Sequence, residues 1–313
     1  MKTIAVIGDS HTWGEGAEGY RSEFTENSLA EPGCLWLMSF QTLNYVNQFR
    51  KRIGEITNST VKEDREIHTL PYSFKSNAEL IRLQFFTNNA DRTAVVKLNG
   101  KVKKSFVVKA DKTPKEYVTV TLKNQGTSLI ELEGDAMLFR TEEYFGEYAV
   151  VNCGVGSCPT FRYLDEFWDK LVSPIEADYF LIEPCTINDW LSGNTPEEYY
   201  KTTLDLLKRA TEAGKVLVLT VSPIMGRQAA NTHSGDYLFD EYITESKRAA
   251  RDLKIPIADA NHIIKTYMAG LSEEEQMRLM FSDQWHPNHL GHTIYAQTAF
   301  DNFVSCFNLQ NLN

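Results

Sequence analysis

Lys2-Thr3-Ile4-Ala5-Val6-Ile7-Gly8-Asp9-Ser10 opens the chain with an apolar run that stops at a glycine. The run at 4–7 is too short for a buried helix and has no polar alternation, the pattern of a strand covered on both faces. Residues 179–182 and 216–221 repeat it, and 148–151 and 255–258 are weaker examples. Helical patterns lie between these runs. Thr195-Pro196-Glu197-Glu198 is a helix start, with Thr195 as cap, Pro196 in the first turn and Glu198 able to reach back. Tyr199, Leu204, Leu207 and Ala210 follow at helical spacing as far as Gly214. Residues 240–253 read as another helix before the strand at 255–258. Strand–helix–strand alternation predicts an α/β fold with a parallel sheet and helices on both faces.

Between about 60 and 145 the rhythm changes to a period of two. Leu80, Arg82 and Gln84 interleave with Ile81, Leu83 and Phe85, and Val95–Leu98 runs into Asn99-Gly100, a pair favoured in two-residue hairpin turns. Residues 102–108, 117–122 and 128–132 read as further strands. The expectation is an inserted antiparallel β-sandwich-like domain at 60–145 within a catalytic domain made of 1–59 and 146–313, the other reading being an elaborated edge of the main sheet.

The 313 residues are 42% hydrophobic and 24% charged, an ordinary globular mix with enough apolar material for a full core. The net charge of -10 argues against nucleic acid as partner. The opening apolar run is shorter than a signal peptide requires and no stretch approaches a membrane span, so a soluble, cytoplasmic protein is expected, without a membrane partner. Five cysteines in no dense framework read as reduced thiols. On the expectation of a cytoplasmic protein, the sequon Asn58-Ser59-Thr60 is read as chance.

Four segments carry chemistry. Ser10 stands where open α/β sheets put their ligands, at the carboxyl end of the first strand. Serine needs a base, which His286 in Asp283-Gln284-Trp285-His286-Pro287 can be, and a carboxylate to fix the imidazole tautomer, which Asp283 can be. Asn188 in Thr186-Ile187-Asn188-Asp189 offers an amide donor for an oxyanion. Asn152-Cys153-Gly154-Val155-Gly156-Ser157 forms a glycine turn after a strand, a source of a second, backbone donor. His286, His289 and His292 form an H-x-x-H-x-x-H run that would suggest a metal if helical, but Pro287 disfavours a helix through His286.

In this order the four segments resemble the GDSL/SGNH hydrolases, over about 1–50 and 146–305; Asn288, Gly291 and His292 extend the similarity. The resemblance implies a flavodoxin-like three-layer sandwich. It implies Ser10 as nucleophile and backbone oxyanion donor, His286 as general base, Asp283 as its orienting partner and Asn188 as side-chain donor. A further donor would be the backbone N–H of Gly156 or Ser157. Asp9 and Asp189 match the blocks as supports of the loops. Thr186 stands where the family has glycine, as does Ser157 in the second block. No cofactor and no metal are implied.

The reaction expected is hydrolysis of a carboxylic ester through an acyl-enzyme, with an acetylated sugar or oligosaccharide favoured as substrate. A short-chain lipase or thioesterase is the alternative, as is an inactive carbohydrate-binding or interaction protein. Trp13, Trp190 and Trp285 lie near the blocks and could stack on a sugar or line an acyl pocket.

Overall fold

The computed structural model describes residues 1–17, 42–87, 90–110, 118–225 and 237–309. In chain order its strands are β1 (Lys2–Ile7), β2 (Thr60–Asp64), β3 (His68–Thr69), β4 (Tyr72–Ser76), β5 (Leu80–Phe86), β6 (Arg92–Leu98), β7 (Lys101–Val108), β8 (Val118–Lys123), β9 (Ser128–Gly134), β10 (Met137–Phe145), β11 (Tyr148–Asn152), β12 (Tyr179–Ile182), β13 (Lys215–Leu219) and β14 (Ile257–Ala258). They fall into two compact units, one within 1–2 and 57–149, the other within 3–17, 42–56 and 150–309.

In the second unit the five strands run β11-β1-β12-β13-β14. β1, β12, β13 and β14 pair in parallel, Ile4 opposite Tyr179 and Val218 opposite Ile257. On the other side of β1, Cys153 and Val155 donate in turn to the carbonyls of Val6 and Gly8. All four residues of β12 and the last five of β1 are buried, at about 1.5–3 kcal/mol for each large apolar side chain. Counted within this sheet the order is 2-1-3-4-5, so it reverses direction at β1. The carboxyl ends beside that strand form the switch point where open α/β sheets bind ligands.

The helices of this unit include α1 (Ser10–Trp13), α2 (Tyr45–Thr57), α3 (Thr160–Arg162), α4 (Thr186–Leu191), α5 (Pro196–Ala213), α6 (Phe239–Asp252), α7 (Ala260–Met268), α8 (Glu273–Met280) and α9 (His289–Phe307). α5 begins as its sequence predicts. Thr195 accepts from the Glu198 N–H at 3.2 Å, and the Glu198 carboxylate accepts from the Thr195 N–H at 2.8 Å. A stretch of π-helix at Tyr163–Val172 was not foreseen. Among the described residues no helix is long and apolar enough to cross a membrane.

The first unit holds two antiparallel sheets, β2-β10-β5-β8 with β3 beside β10, and β4-β9-β6-β7. One apolar cluster draws on both: Ile81, Leu83 and Phe85 of β5 join Ala94 and Val96 of β6 and Ile130 and Leu132 of β9. Asn99 and Gly100 both take positive φ (50° and 75°), the turn that joins β6 to β7. Arg82 and Gln84, the polar members of the β5 alternation, are buried too, and Arg82 pairs with Glu142 of β10 at 3.0 Å. The expected strand start at Tyr117 lies outside the described residues.

Candidate active site

β1 delivers Gly8-Asp9-Ser10 to the switch point. Asp9 caps the single turn of α1, accepting the His11 N–H at 3.2 Å. Ser10 is 4% exposed, and its Oγ lies 2.9 Å from Nε2 of His286, a residue 276 positions away.

His286 sits in a tight loop between α8 and α9. A bridge of Phe281 to Pro287 and the Ser282 N–H bonded to the His286 carbonyl at 3.0 Å close it. Inside the loop, Asp283 Oδ1 accepts the backbone N–H groups of Trp285 and His286, both at 2.8 Å. The His286 Nδ1 lies 2.9 Å from Asp283 Oδ2. Burial alone would raise the Asp283 pKa, but the hydrogen bond and charge of His286 and the two backbone donors hold it at about 2. An anionic Asp283 makes Nδ1 the protonated nitrogen, so Nε2 is left to accept the Ser10 proton.

Two more strand ends adjoin Ser10. After β12, the Asn188 amide donates to Asp9 Oδ2 at 3.0 Å. After β11, the Asn152 amide donates to the Thr12 carbonyl at 2.8 Å, and its own oxygen accepts the Gly154 N–H at 2.8 Å. Gly156 lies under the Trp13 indole, where a Cβ would come within 2.2 Å of the ring. Ser157, next along, is exposed with φ 53°. The structure thus brings Ser10, His286 and Asp283 into direct contact, joins Asn188 to them through Asp9, and packs Gly156 against α1.

A profile of the GDSL-like lipase/acylhydrolase family matches residues 135–294, just over half the sequence. The chain belongs to the GDSL-like lipase/acylhydrolase family. It is accordingly a hydrolase of carboxylic esters. No curated protein sequence matches it. Among solved structures, a peptidoglycan O-acetylesterase superposes with TM-score 0.55 at 13% identity, over 98% of this chain and 92% of that one. A lipolytic G-D-S-L family protein from Veillonella parvula gives 0.48 at 14%, over 97% and 99%. At these identities the likeness is one of fold.

Other residues of this GDSL acylhydrolase take places that the sequence left open. Asp189 accepts the Thr160 N–H (2.7 Å) and hydroxyl (2.6 Å) and the Asn194 amide (2.7 Å), tying α3 to α4; burial pushes its pKa up to about 6. Burial also raises Asp9 to about 6, against the lowering charge of His11. The three histidines of the H-x-x-H-x-x-H run diverge. His289 begins α9 and is exposed. His292 is buried, with Nε2 3.0 Å from the Glu15 carbonyl and Nδ1 accepting the Tyr45 N–H at 3.3 Å. Desolvation drives its pKa down to about 3. Trp190 is core, packed on Phe239 and on Trp285. Trp13 and Trp285 are half-buried.

The Glu15 carbonyl bond fixes the loop after α1, and the Glu15 carboxylate lies 3.5 Å from His286 Nε2. Gly16 follows with φ 88°, and a Cβ there would meet the Pro287 carbonyl at 2.4 Å and the His286 Cβ at 3.0 Å. Gly16→Ala therefore adds about 1–2 kcal/mol of left-handed backbone strain before any clash. The expected result is a Tm lower by at least about 3 °C and kcat/KM reduced about tenfold or more as the His286 loop is displaced. Wild-type kinetics in that variant would mean the loop yields without moving the imidazole.

Sequence reading missed His11 and Glu183. The only signal was position: Glu183 directly follows β12 and His11 lies four residues past the end of β1, both at carboxyl ends of sheet strands where a buried charge needs a partner.

Proposed function

We propose that this hydrolase cleaves esters by a two-step acyl transfer at Ser10, and that its substrates are acetylated carbohydrates. The observation that carries the reading is the chain of contacts from Ser10 Oγ to His286 Nε2 (2.9 Å) and from His286 Nδ1 to Asp283 (2.9 Å). As Ser10 attacks the ester carbonyl, His286 takes its proton at Nε2 and Asp283 stabilises the imidazolium that forms. The oxyanion is met by the Ser10 N–H, by a backbone N–H of Gly156 or Ser157, and by Asn188. An amide carries two N–H bonds, so Asn188 can hold Asp9 with one and the oxyanion with the other. His286 then protonates the departing alcohol, and a water molecule, deprotonated by the same nitrogen, releases the acyl group.

Two features support a carbohydrate ester. Half-buried Trp13 and Trp285 flank the residues that would do the chemistry, and indole faces are suited to sugar rings. The fold likeness to a peptidoglycan O-acetylesterase agrees with a small acyl group. The 60–145 stretch is read as an inserted antiparallel β-sandwich domain in a catalytic domain of 1–59 and 146–313.

The test is a series of p-nitrophenyl esters run beside acetylated xylo-oligosaccharides. The expected result is highest kcat/KM for acetate, a decline with each added pair of carbons, and acetate released from the oligosaccharides. A preference for chains of roughly eight carbons or more, whose added methylenes each favour an apolar pocket by about 0.8 kcal/mol, would assign the enzyme to lipids instead.

A further inference from the structure

His11 follows the candidate nucleophile, is fully buried, and has an acceptor at each ring nitrogen. Nδ1 lies 2.9 Å from Glu183 Oε1, and Nε2 lies 2.8 Å from the Trp285 carbonyl oxygen. A neutral imidazole has one N–H and could satisfy only one of them, whereas an imidazolium satisfies both. Glu183 is itself surrounded by donors. Thr12 Oγ1 donates to Oε2 at 2.8 Å and is in contact with the Tyr45 hydroxyl at 2.6 Å, while the Tyr295 hydroxyl approaches Oε1 at 3.4 Å.

We propose that His11 is a positioning residue that is charged at neutral pH, an imidazolium held by Glu183 that anchors the His286 loop through the Trp285 carbonyl. This rests on the reading of His286 as general base. Trp285 immediately precedes His286, so the loop is gripped twice. Asp283 holds it from within through two backbone N–H groups, and His11 holds it from α1 through the Trp285 backbone C=O. The groups facing the His11 ring are Glu183, Asp9, the Tyr295 ring at 6.2 Å and the His286 ring, edge-on at 5.5 Å. Asp9, His11 and Glu183 present polar atoms within 4.8 Å of one another, a spacing a cation could also bridge. The two occupied ring nitrogens of His11 give that cluster its positive charge without one.

The charge has a pH signature. Burial alone would strip the proton from His11, but the charge and hydrogen bond of Glu183 overcome it and hold the pKa at about 9. When His11 deprotonates, one of its two acceptors loses its donor and the grip on Trp285 weakens.

The experiment has two arms on the full chain. In the first, ring-nitrogen NMR of the wild-type protein and of Ser10→Ala reads the protonation of His11 directly. The expected spectrum has both nitrogens protonated at pH 7.5, with a transition near pH 9. A single protonated nitrogen at pH 7.5 overturns the proposal, even if no variant folds. In the second arm, pH profiles of p-nitrophenyl acetate hydrolysis compare the wild type with Glu183→Gln. The wild-type kcat is expected to hold through pH 8 and fall as pH passes about 9. In Glu183→Gln that fall moves into the neutral range, so that at pH 8 kcat drops by on the order of 10–100-fold, as a slightly misplaced catalytic group does, with KM little changed. A Glu183→Gln profile whose alkaline fall stays in place would reduce the pair to a packing feature. Activity surviving in Ser10→Ala would instead refute the acyl-transfer reading, leaving the NMR arm to judge the charge on His11.

Discussion

Ser10→Ala is expected to lower kcat for p-nitrophenyl acetate by on the order of 10⁶, the loss typical of removing the nucleophile from a serine triad. The fold should be indifferent. Only one buried oxygen is lost, and its partner His286 is part-exposed, so a water molecule can donate to Nε2 in its place. A Tm within a few degrees of wild type should therefore accompany the inactive enzyme. Because nucleophile and base act as a unit, Ser10→Ala with His286→Ala should be no worse than either alone. A fluorophosphonate provides the independent reading: its mass should add to wild type at Ser10 and to neither variant. Activity in Ser10→Ala above about one-hundredth of wild type would be far more than binding and an oxyanion hole supply without a nucleophile, and would remove Ser10 from the mechanism.

Asp283→Asn should cost about 10⁴ in kcat, although the side chain barely changes shape. The carbonyl oxygen of asparagine can still accept the Trp285 and His286 backbone N–H groups. Its amide then faces His286 Nδ1 with a donor where the carboxylate offered an acceptor. The imidazole responds by carrying its proton on Nε2, pointed at Ser10, and cannot accept another. Activity close to wild type would mean that the tautomer is fixed by something else.

The same substitution has a signature in stability. The Asp283 carboxyl is held at about 2 against an ordinary 3.8. A depressed carboxylate contributes stability above its unfolded pKa and loses it as pH falls through the folded one. Wild-type Tm should thus drop between about pH 4 and pH 2 by an amount that Asp283→Asn lacks. Asp9 and Asp189, raised to about 6 by burial, act oppositely. Their contribution is full below 3.8 and lost as pH rises through 6.

The parallel sheet was legible because a strand covered on both faces has no reason to alternate. Residues 4–7, 179–182 and the 216–219 part of the run at 216–221 are continuous apolar stretches, and all three pair in the sheet. β10 escaped notice for the opposite reason. Its sequence MLFRTEEYF carries Arg140, Glu142 and Glu143, all nevertheless buried. Arg140 reaches Glu63 of β2 at 2.6 Å, and Glu142 meets Arg82 of β5 at 3.0 Å. A charge looks solvent-bound until its partner on another strand is known, and no local pattern supplies that partner.

The candidate site divides in the same way. Ser10, His286, Asp283 and Asn188 could be named because each sits in a short block whose residue types suit one chemical task. His11 and Glu183 could not be paired, because their bond spans 172 positions and neither has a local pattern of its own. Trp190 looked as available as Trp285 in sequence, and only packing against Phe239 separates them.

The 276-position separation of Ser10 and His286 also orders events during synthesis. Every strand of the parallel sheet is encoded by residue 258, so a growing chain can carry its whole sheet, with Ser10 already past the end of β1, before His286 has been made. On the acyl-transfer reading proposed above, a nascent chain is therefore silent toward esters until residue 286 has been added and has reached Ser10.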